Sequence, residues 1–481
     1  MCARTLIIAA LATSGLVACR ESVAPTARLP VVSQVVVAAN PNNVLCAVVS
    51  FSVSGADSAR VRYESTNGDR GTTPYYGVRD AQTRIVALGL RASSRYALTV
   101  EALGAGGSVF VPAESLATSP LPSAIRSLRL VGNGAPSEPY TLVVPMLADT
   151  TGDANGYVVM FDAAGEVRWY RGFPGLWPVE AKQQPNGHVT VYVGRSFGWQ
   201  PVYGHFEELA PDGAVVRTYG VAPPYYTDPH ELLLSFADTT VVAAHMLGYE
   251  LRRFDLGGAG GAVGALLAVH TIERQTPATV PTFRWSALDY FMPDDWPAGA
   301  PPIPDLDHPS SLSLGRDGNY IVSFQAMDQI VKIDAETGEV IWRFGGRRNV
   351  FRILGDPLGG FSGQHDVQVL DNGHLLLMDN HVRTFGPARA VEYSLDTRAM
   401  TATMVWEFRP APAVVSMMMG SAQRLSNGAT LVGFGAAGRV AEVHGATPTW
   451  EAVLQNGDVP LSVPFYRALA MRSLYGRGYE R

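Results

Sequence analysis

The strongest constraint on the fold is a short hairpin that recurs through the second part of the chain. Each copy is an apolar strand, a tight turn of a polar residue and glycine, and a second apolar strand. The turn glycines are Gly187, Gly318, Gly373 and Gly428, and the last three are spaced 55 residues apart. Asn-Gly and Asp-Gly between apolar runs predict hairpins with type I′ turns, in which both central residues have positive φ.

A second repeated unit is a strand that ends in tryptophan after an acidic or glycine-containing turn. Its copies end at Trp169, Trp342, Trp406 and Trp450. Together the two units give about four strands per period of about 55 residues, which is typical of a β-propeller blade. Residues 119–481 hold about six such periods and predict a six-bladed β-propeller.

The preceding region, residues 31–118, has a different pattern. Five short apolar runs alternate with turn clusters and predict a small β-sandwich, so the whole chain is expected to be all-β. The segment from Leu90 to Ala102 resembles the late part of a fibronectin type III domain, with Tyr96 at the position of its tyrosine corner. We expect this domain to be a spacer or docking module.

The first thirty residues have the pattern of a targeting segment for export. Arg4 precedes an apolar run from Leu6 to Val17, which suits a signal peptide and is too short to span a bilayer. The run ends before Cys19 in a segment that resembles a bacterial lipobox. Residues 1–18 are therefore interpreted as the signal, and 19–30 as a lipidated cysteine and its tether. Arg20, rather than an aspartate, follows the cysteine, which favours anchoring in the outer membrane. We expect the protein to face the periplasm. The alternative is an ordinary secretory signal.

The charge balance and the cysteine count exclude several kinds of partner and site. The chain carries 43 acidic and 37 basic residues, a net charge of −6, and has no dense basic cluster, so a nucleic-acid partner is not expected. Of its three cysteines, Cys2 would leave with the signal and Cys19 would carry lipid. Cys46 would then be alone in an apolar run, which excludes an internal disulfide and a cysteine metal site and predicts a core position.

Three of the ten histidines share one position in the repeat. His230, His308 and His365 each open an apolar strand that runs into a blade turn. Because equivalent points of different blades converge on the propeller axis, we expect these three side chains to meet. The other histidines lack this placement and are interpreted as turn, surface or packing residues: His188, His205, His245, His270, His374, His381 and His444.

Several runs of the sequence resemble those of a known family. The runs DLDHPSSLSLGRDGNYIVSF, FSGQHDVQVLDNGHLLLMDN and GSAQRLSNGATLVGFG resemble the arylsulfotransferases, which are six-bladed propellers of the bacterial cell envelope. The resemblance implies transfer of a sulfo group from an aryl sulfate to a phenolic acceptor, with no phosphoadenosine phosphosulfate or other cofactor. It places the sulfo-accepting histidine at His365 and the other two axial histidines at His230 and His308.

The imidazole chemistry agrees with that implication. A neutral imidazole is a nucleophile near pH 7, and a covalent intermediate divides one difficult displacement into two easier ones. A second histidine can donate a proton to the leaving phenolate and later accept one from the acceptor phenol. Three imidazoles plus water would also suit zinc, but blade-equivalent positions are often too far apart for bonds of ~2.0–2.1 Å, so we expect no metal.

Two positions depart from the family pattern. Ser310 stands where members usually have asparagine, and Gln325 stands where they usually have arginine. Both are expected to be substrate-binding positions, with Arg383 or Arg389 as the candidate for a compensating charge. These departures favour the alternative hypothesis, a non-catalytic propeller lipoprotein that binds an anionic or aromatic ligand or acts as a scaffold for envelope partners.

Overall fold

The computed structural model describes residues 28–78, 81–147, 155–195, 203–255, 263–291, 307–457 and 462–476. The predicted signal peptide and lipidation site at Cys19 lie outside these residues. Within them the chain is built from strands and short 3₁₀ turns, and no helix is long and apolar enough to cross a membrane.

Two facing sheets form the N-terminal β-sandwich. Its strands are β1 (Val31–Ala39), β2 (Ala47–Ser54), β3 (Ser58–Ser65), β4 (Arg70–Thr72), β5 (Tyr76–Gly77), β6 (Ala81–Ala87), β7 (Arg95–Gly104), β8 (Gly107–Pro112) and β9 (Leu116–Ala117). One sheet has the order β1-β2-β6 and the other β4-β3-β7-β8, with β5 on β3 and β9 on β7. Alternate residues of β2 and β7 face a common core that includes Phe51 and Tyr96.

Six further sheets follow, each with at least four antiparallel strands. Their strands are β10 (Leu128–Gly134), β11 (Tyr140–Pro145), β12 (Asn155–Asp162), β13 (Val167–Pro174), β14 (Trp177–Gln183), β15 (Val189–Gly194), β16 (Gly204–Leu209), β17 (Val215–Tyr219), β18 (Tyr226–Ala237), β19 (Thr240–Asp255), β20 (Val263–Gln275), β21 (Pro281–Ser286), β22 (Pro309–Leu314), β23 (Tyr320–Phe324), β24 (Gln329–Ile333), β25 (Val340–Gly345), β26 (Arg352–Leu354), β27 (His365–Val369), β28 (Leu375–Asp379), β29 (Arg389–Asp396), β30 (Thr401–Phe408), β31 (Ser421–Arg424), β32 (Thr430–Phe434), β33 (Arg439–His444), β34 (Thr447–Asn456) and β35 (Phe465–Met471).

The sheets are the blades of a propeller. The second, third and fourth blades are β14–β17, β18–β21 and β22–β25, whereas the fifth contains β27–β30 with β26 on its edge. The chain ends are exchanged: β35 joins β11–β13 in the first blade, and β10 joins β31–β34 in the sixth. The innermost strands contact each other in the order β35, β14, β18, β22, β27, β31 and back to β35. The predicted all-β fold, a six-bladed propeller after a sandwich, is confirmed.

The repeated hairpin turns differ from the prediction in their type. Each turn glycine has positive φ, between 78° and 87°, but the polar residue before it does not. In the second blade, Gly187 N–H donates to Gln184 O, and Gln184 N–H donates to His188 O. This is a type I turn followed by a left-handed glycine, rather than type I′. The polar side chain stabilises it from outside, since Asn186 Oδ1 accepts the His188 N–H.

Short 3₁₀ turns recur after the second strand of the last three blades, at Gln325–Met327, Val382–Thr384 and Gly435–Ala437. Two others lie at Ser123–Ile125 and Ala287–Asp289. Because an innermost strand begins at one end of the propeller and its second strand returns there, the three recurring turns lie at the end where the predicted histidines open their strands.

The sandwich packs against the opposite end of the propeller, where the blade turns lie. Arg168 of β13 forms an ion pair with Asp69 at 2.9 Å and donates to Gly89 O. Arg84 pairs with Asp212 in the turn between β16 and β17. Cys46 is fully buried in the apolar core that joins the two domains, and burial raises the pKa of its thiol well above the usual range.

Candidate functional site

Irregular pairing positions the three histidines. The register with the second strand shifts between Thr227 and Leu232 in β18, between Pro309 and Ser311 in β22, and between His365 and Gln368 in β27. His230, His308 and His365 lie at or beside these bulges. Extra residues at such points redirect side chains out of the regular alternation.

Left-handed backbone marks the same points. His308 has φ of 32° and Asp366 has φ of 51°, values that cost free energy for residues other than glycine. Met419, which contacts His365 from the loop before β31, has φ of 62°. Strain of this kind persists where the surrounding packing over-determines it.

The structure brings the three predicted histidines together at the axis. The rings of His230 and His308 are 4.7 Å apart in an edge-to-face arrangement. His365 is buried, and His308 and His230 lie close enough to oppose its protonation electrostatically. The site therefore holds three imidazoles from three consecutive blades.

The hydrogen bonds of His365 define which nitrogen is available. Nδ1 lies 2.9 Å from Gly363 O and 2.8 Å from Asn380 Oδ1, two acceptors, so Nδ1 carries the hydrogen. Asn380 is itself oriented, because its amide nitrogen donates to Ser416 O and Met419 O. Nε2 accepts the Met419 N–H at 3.2 Å, so it carries the lone pair, which can attack only when that hydrogen bond opens.

His365 is held as a neutral imidazole. Burial, followed by the nearby His308 and His230, lowers its pKa from 6.5 to about 3. The neutral form is the nucleophilic form. The structure thus removes the proton that would block Nε2 at any pH near neutrality.

This lowered pKa predicts a pH dependence of stability. Below pH 6.5 the unfolded chain binds a proton at residue 365 that the folded chain does not bind until about pH 3, so stability is lost as pH falls. Between pH 7.5 and 5.0 the loss from this one group is about 2 kcal/mol. Urea unfolding at both pH values should show that acidification lowers the free energy of unfolding less in His365→Asn than in wild type. The exposed-residue variant His444→Asn should keep the wild-type difference, and an unchanged acid loss in His365→Asn would contradict this account.

His230 belongs to a longer buried chain of groups. Its Nδ1 lies 2.8 Å from Asp228 Oδ1, and the other oxygen of Asp228 lies 3.3 Å from His270 Nε2. His270 Nδ1 lies 2.5 Å from Asp307, the residue before His308. Burial opposes ionisation of Asp228, but His230 and His270 hold its pKa well below the usual range. From the sequence, His270 was interpreted only as a surface or packing residue. The structure places it between Asp228 and Asp307, close to two of the axial histidines.

A cluster of charged groups, all buried except the half-buried Lys182, lies beside the histidines. It comprises Glu180, Lys182, Glu231, Asp366 and Arg467, which come from the innermost strands of four blades. Arg467 Nη2 donates to Glu231 at 2.9 Å, to Ser310 O at 3.2 Å and to His230 O at 3.4 Å. Burial raises the pKa of Glu180 to about 7, although Lys182 beside it acts in the opposite direction.

Sequence reasoning missed Arg467. The available signal was a single charged residue in the otherwise apolar run FYRALAM near the chain end. That run had no turn or tryptophan partner in the repeat, because it is the exchanged strand of the first blade.

A comparison with family models shows the family of this chain. The arylsulfotransferase (ASST) family model matches residues 203–453, just over half of the chain, and this range contains all three histidines. The chain belongs to the arylsulfotransferase family. No curated protein matches it significantly.

Solved structures resemble this chain at low identity. A protein of unknown function from Bacteroides caccae is 11% identical, with a TM-score of 0.42 over 70% of this chain and 100% of its own. A catalytically inactive virginiamycin B lyase from Staphylococcus aureus, solved with quinupristin, is 10% identical, with a TM-score of 0.33 over 71% and 88%. The β-propeller domain of Cps50 (Swd1) from Myceliophteria thermophila is 11% identical, with a TM-score of 0.33 over 71% and 89%.

Ser310 and Gln325, the departures from the family pattern, have different positions. Ser310 is fully buried, and its hydroxyl lies 2.8 Å from Gln364 O, so its one hydrogen is used to hold the backbone before His365. It is not placed as a substrate donor. Gln325 is half-buried beside the site, with its N–H donating to His308 O at 2.8 Å.

The structure does not bring Arg389 to the histidines. Its fully buried guanidinium pairs with Asp356, Asp379 and Glu407, each at 2.9 Å, inside the fifth blade. Its donors are therefore committed, and the expectation that Arg389 contacts substrate is wrong. Arg383, the other candidate, pairs with Asp328. Among the described residues, no group of three or more potential ligands could hold a metal ion.

Proposed function

We propose that this arylsulfotransferase transfers a sulfo group from an aryl sulfate ester to a phenolic acceptor through a sulfo-histidine at His365. The observation that carries the proposal is the fixed tautomer of His365, whose Nδ1 hydrogen is held by Gly363 and Asn380 while Nε2 keeps its lone pair. Membership of the family supplies the substrate class. The proposed reaction needs no cofactor.

In the first half-reaction Nε2 of His365 attacks sulfur, the N–S bond forms and the S–O bond to the aryl group breaks. The departing phenolate takes a proton from His230, whose ring borders His308. In the second half-reaction the acceptor phenol returns a proton to His230 as its oxygen attacks sulfur. The N–S bond then breaks and His365 is neutral again.

A main-chain N–H group can stabilise the sulfonyl oxygens. The Met419 N–H lies 3.2 Å from Nε2, the point at which sulfur would bind. When a sulfo group occupies that point, a donor in this position faces its oxygens rather than the lone pair. Donors arranged in advance around developing charge are a large contribution to catalysis.

Intact-protein mass spectrometry tests the proposal directly. Purified full-length protein is incubated briefly with p-nitrophenyl sulfate, and released nitrophenol is measured in parallel. A mass gain of one sulfo group, mapped to the peptide that contains His365, supports the proposal. No mass gain and no phenol release, with this donor and with 4-methylumbelliferyl sulfate, would instead favour a ligand-binding propeller, the function to which Gln325 points.

Restoring the family arginine should raise activity. Gln325 lies beside His308, and a charge-assisted contact contributes ~1.5–3 kcal/mol where a neutral one contributes ~0.5–1.5 kcal/mol. We expect Gln325→Arg to increase kcat/KM for p-nitrophenyl sulfate about tenfold. Gln82→Arg, on the exposed face of the sandwich, adds the same charge far from the site and should have no effect. An equal or lower kcat/KM in Gln325→Arg would show that position 325 does not contact the donor.

We also propose that the protein is anchored in the cell envelope by lipid on Cys19, with the propeller in the periplasm. The support is the lipobox-like sequence that ends at this cysteine. Growth with radiolabelled palmitate should label wild type and leave Cys19→Ser unlabelled. Label in both forms, or in neither, would contradict the anchor.

A further inference from the structure

The buried chain that links His230 to His308 carries an inference beyond the nucleophile. Asp228, two residues before His230, and Asp307, directly before His308, are both buried. His270 from β20 lies between their carboxylates. His270 is itself buried, and its two ring nitrogens face one carboxylate each. The groups therefore alternate between imidazole and carboxylate across the third and fourth blades.

The two carboxylates accept backbone hydrogen bonds and face both ring nitrogens of His270. Asp228 Oδ1 accepts from the His230 backbone N–H and from Nδ1, and its Oδ2 faces His270 Nε2. Asp307 Oδ1 accepts the His308 N–H and faces His270 Nδ1, and its Oδ2 accepts the His270 backbone N–H. Each ring nitrogen of His270 thus faces a carboxylate oxygen, an arrangement that suits an imidazolium, which has two N–H donors.

We propose that His270 is a positioning residue: a buried imidazolium that fixes both carboxylates and limits how strongly His230 holds a proton. This role rests on the proposed sulfotransfer reaction, in which His230 must give up a proton in one half-reaction and take one in the next. A histidine paired with a lone buried aspartate would be held protonated and could not act as the base. The cation on the far side of Asp228 offsets part of that attraction.

Among the described residues that face this chain, Arg467 supplies a second cation, which donates to the His230 carbonyl at 3.4 Å and pairs with Glu231 at 2.9 Å. Tyr249 packs on the His270 ring with centroids 5.7 Å apart, and Tyr466 packs on His230 at 6.0 Å. Tyr192 lies near Asp228. Burial raises the pKa of Tyr192 and of Tyr466 well above the usual range, so these phenols stay neutral. His308 completes the set, beside His230.

The kinetic test uses His270→Asn, which keeps a polar side chain but removes the charge. Sulfo-enzyme is formed with p-nitrophenyl sulfate, whose leaving group needs no acid, and its single-turnover transfer to a phenol is followed from pH 5 to 9. We expect the midpoint of the rising limb to move up by about one pH unit or more, with about tenfold slower transfer on the acid side and near wild-type transfer at high pH. A uniform loss at every pH would show a structural role only and would overturn the proposal.

The matched control is His245→Asn. His245 is also buried in the third blade, but its ring contacts Tyr320 and Ser235 rather than this chain. It should leave the midpoint of the limb unchanged. A shift equal to that of His270→Asn would show that any buried histidine in this blade has the effect, and would also overturn the proposal.

A spectroscopic test does not depend on turnover. In histidine-labelled wild-type protein at pH 8, ¹⁵N spectra should show one buried ring with both nitrogens protonated, absent from His270→Asn, and the His230 ring should titrate at higher pH in that variant. A singly protonated His270, or an unmoved His230 titration, overturns the inference. If wild type forms no sulfo-enzyme, the proposed function fails while this measurement still decides the role of His270.

Discussion

His365→Ala is expected to fold and to form no sulfo-enzyme. The side chain supplies the only protein atom that bonds to sulfur in the proposed reaction, so kcat for transfer should fall by at least ~10³-fold. Loss of an acid–base group also costs about 10²–10⁴-fold, but it would leave a detectable mass gain with a good leaving group such as nitrophenolate. Mass spectrometry after incubation with donor therefore separates the nucleophile from its neighbours.

Two further variants make the result specific. His374→Ala removes a histidine that pairs with Glu392 at the turn of the same blade, and it should form sulfo-enzyme as wild type does. His365→Gln retains a polar side chain and should be as inactive as the alanine variant, because an amide nitrogen is not a nucleophile. A mass gain in either residue-365 variant would remove His365 from its proposed role.

Arg467→Met is expected to destabilise the protein by about 3–5 kcal/mol, the usual cost when one partner of a buried ion pair is removed. Arg467 is 5% exposed and lies among Glu231, Asp366 and Glu180, which would be left with Lys182 as their cation. It also holds the carbonyl of His230, so activity should fall with stability. Urea unfolding together with kcat measured below the transition checks both effects.

Arg472→Met is the matched control, five residues further along. Arg472 pairs with Glu138 at 3.3 Å with a third of its side chain exposed, and such pairs contribute ~0–1 kcal/mol. Arg467→Lys keeps the charge but loses the planar fork and should lie between the methionine variant and wild type. A loss below 1 kcal/mol in Arg467→Met would show that the buried cluster does not stabilise the ring.

The features predicted from the sequence are those that local patterns encode. Glycine turns at a fixed spacing revealed the blades, and the strand-opening position of His230, His308 and His365 was enough to expect their meeting. The turn type was wrong because the Asn-Gly pair suits two hairpin geometries. The polar residue lies outside the left-handed region, and its side chain accepts a hydrogen bond from the following strand.

The features that sequence could not predict depend on contacts between distant strands. His270 lies in the third strand of its blade, and only the pairing of β20 brings it to Asp228 and Asp307. Arg389 was misassigned for the same reason. Its position in the third strand of the fifth blade directs it to carboxylates of that blade rather than to the axis. The fibronectin type III assignment and the anchor at Cys19 stay predictions.

The exchanged strand β35 has a consequence for copies of the protein that lack it. Because β35 closes the ring and carries Arg467 into the histidine site, this one strand completes both the fold and the surroundings of the histidines. A product truncated before residue 465 lacks the guanidinium, leaves β11 without its inner partner and leaves a gap between β14 and β31. We expect such truncated copies to be inactive in the proposed reaction and, because the edge of β11 is then unpaired, to be prone to degradation.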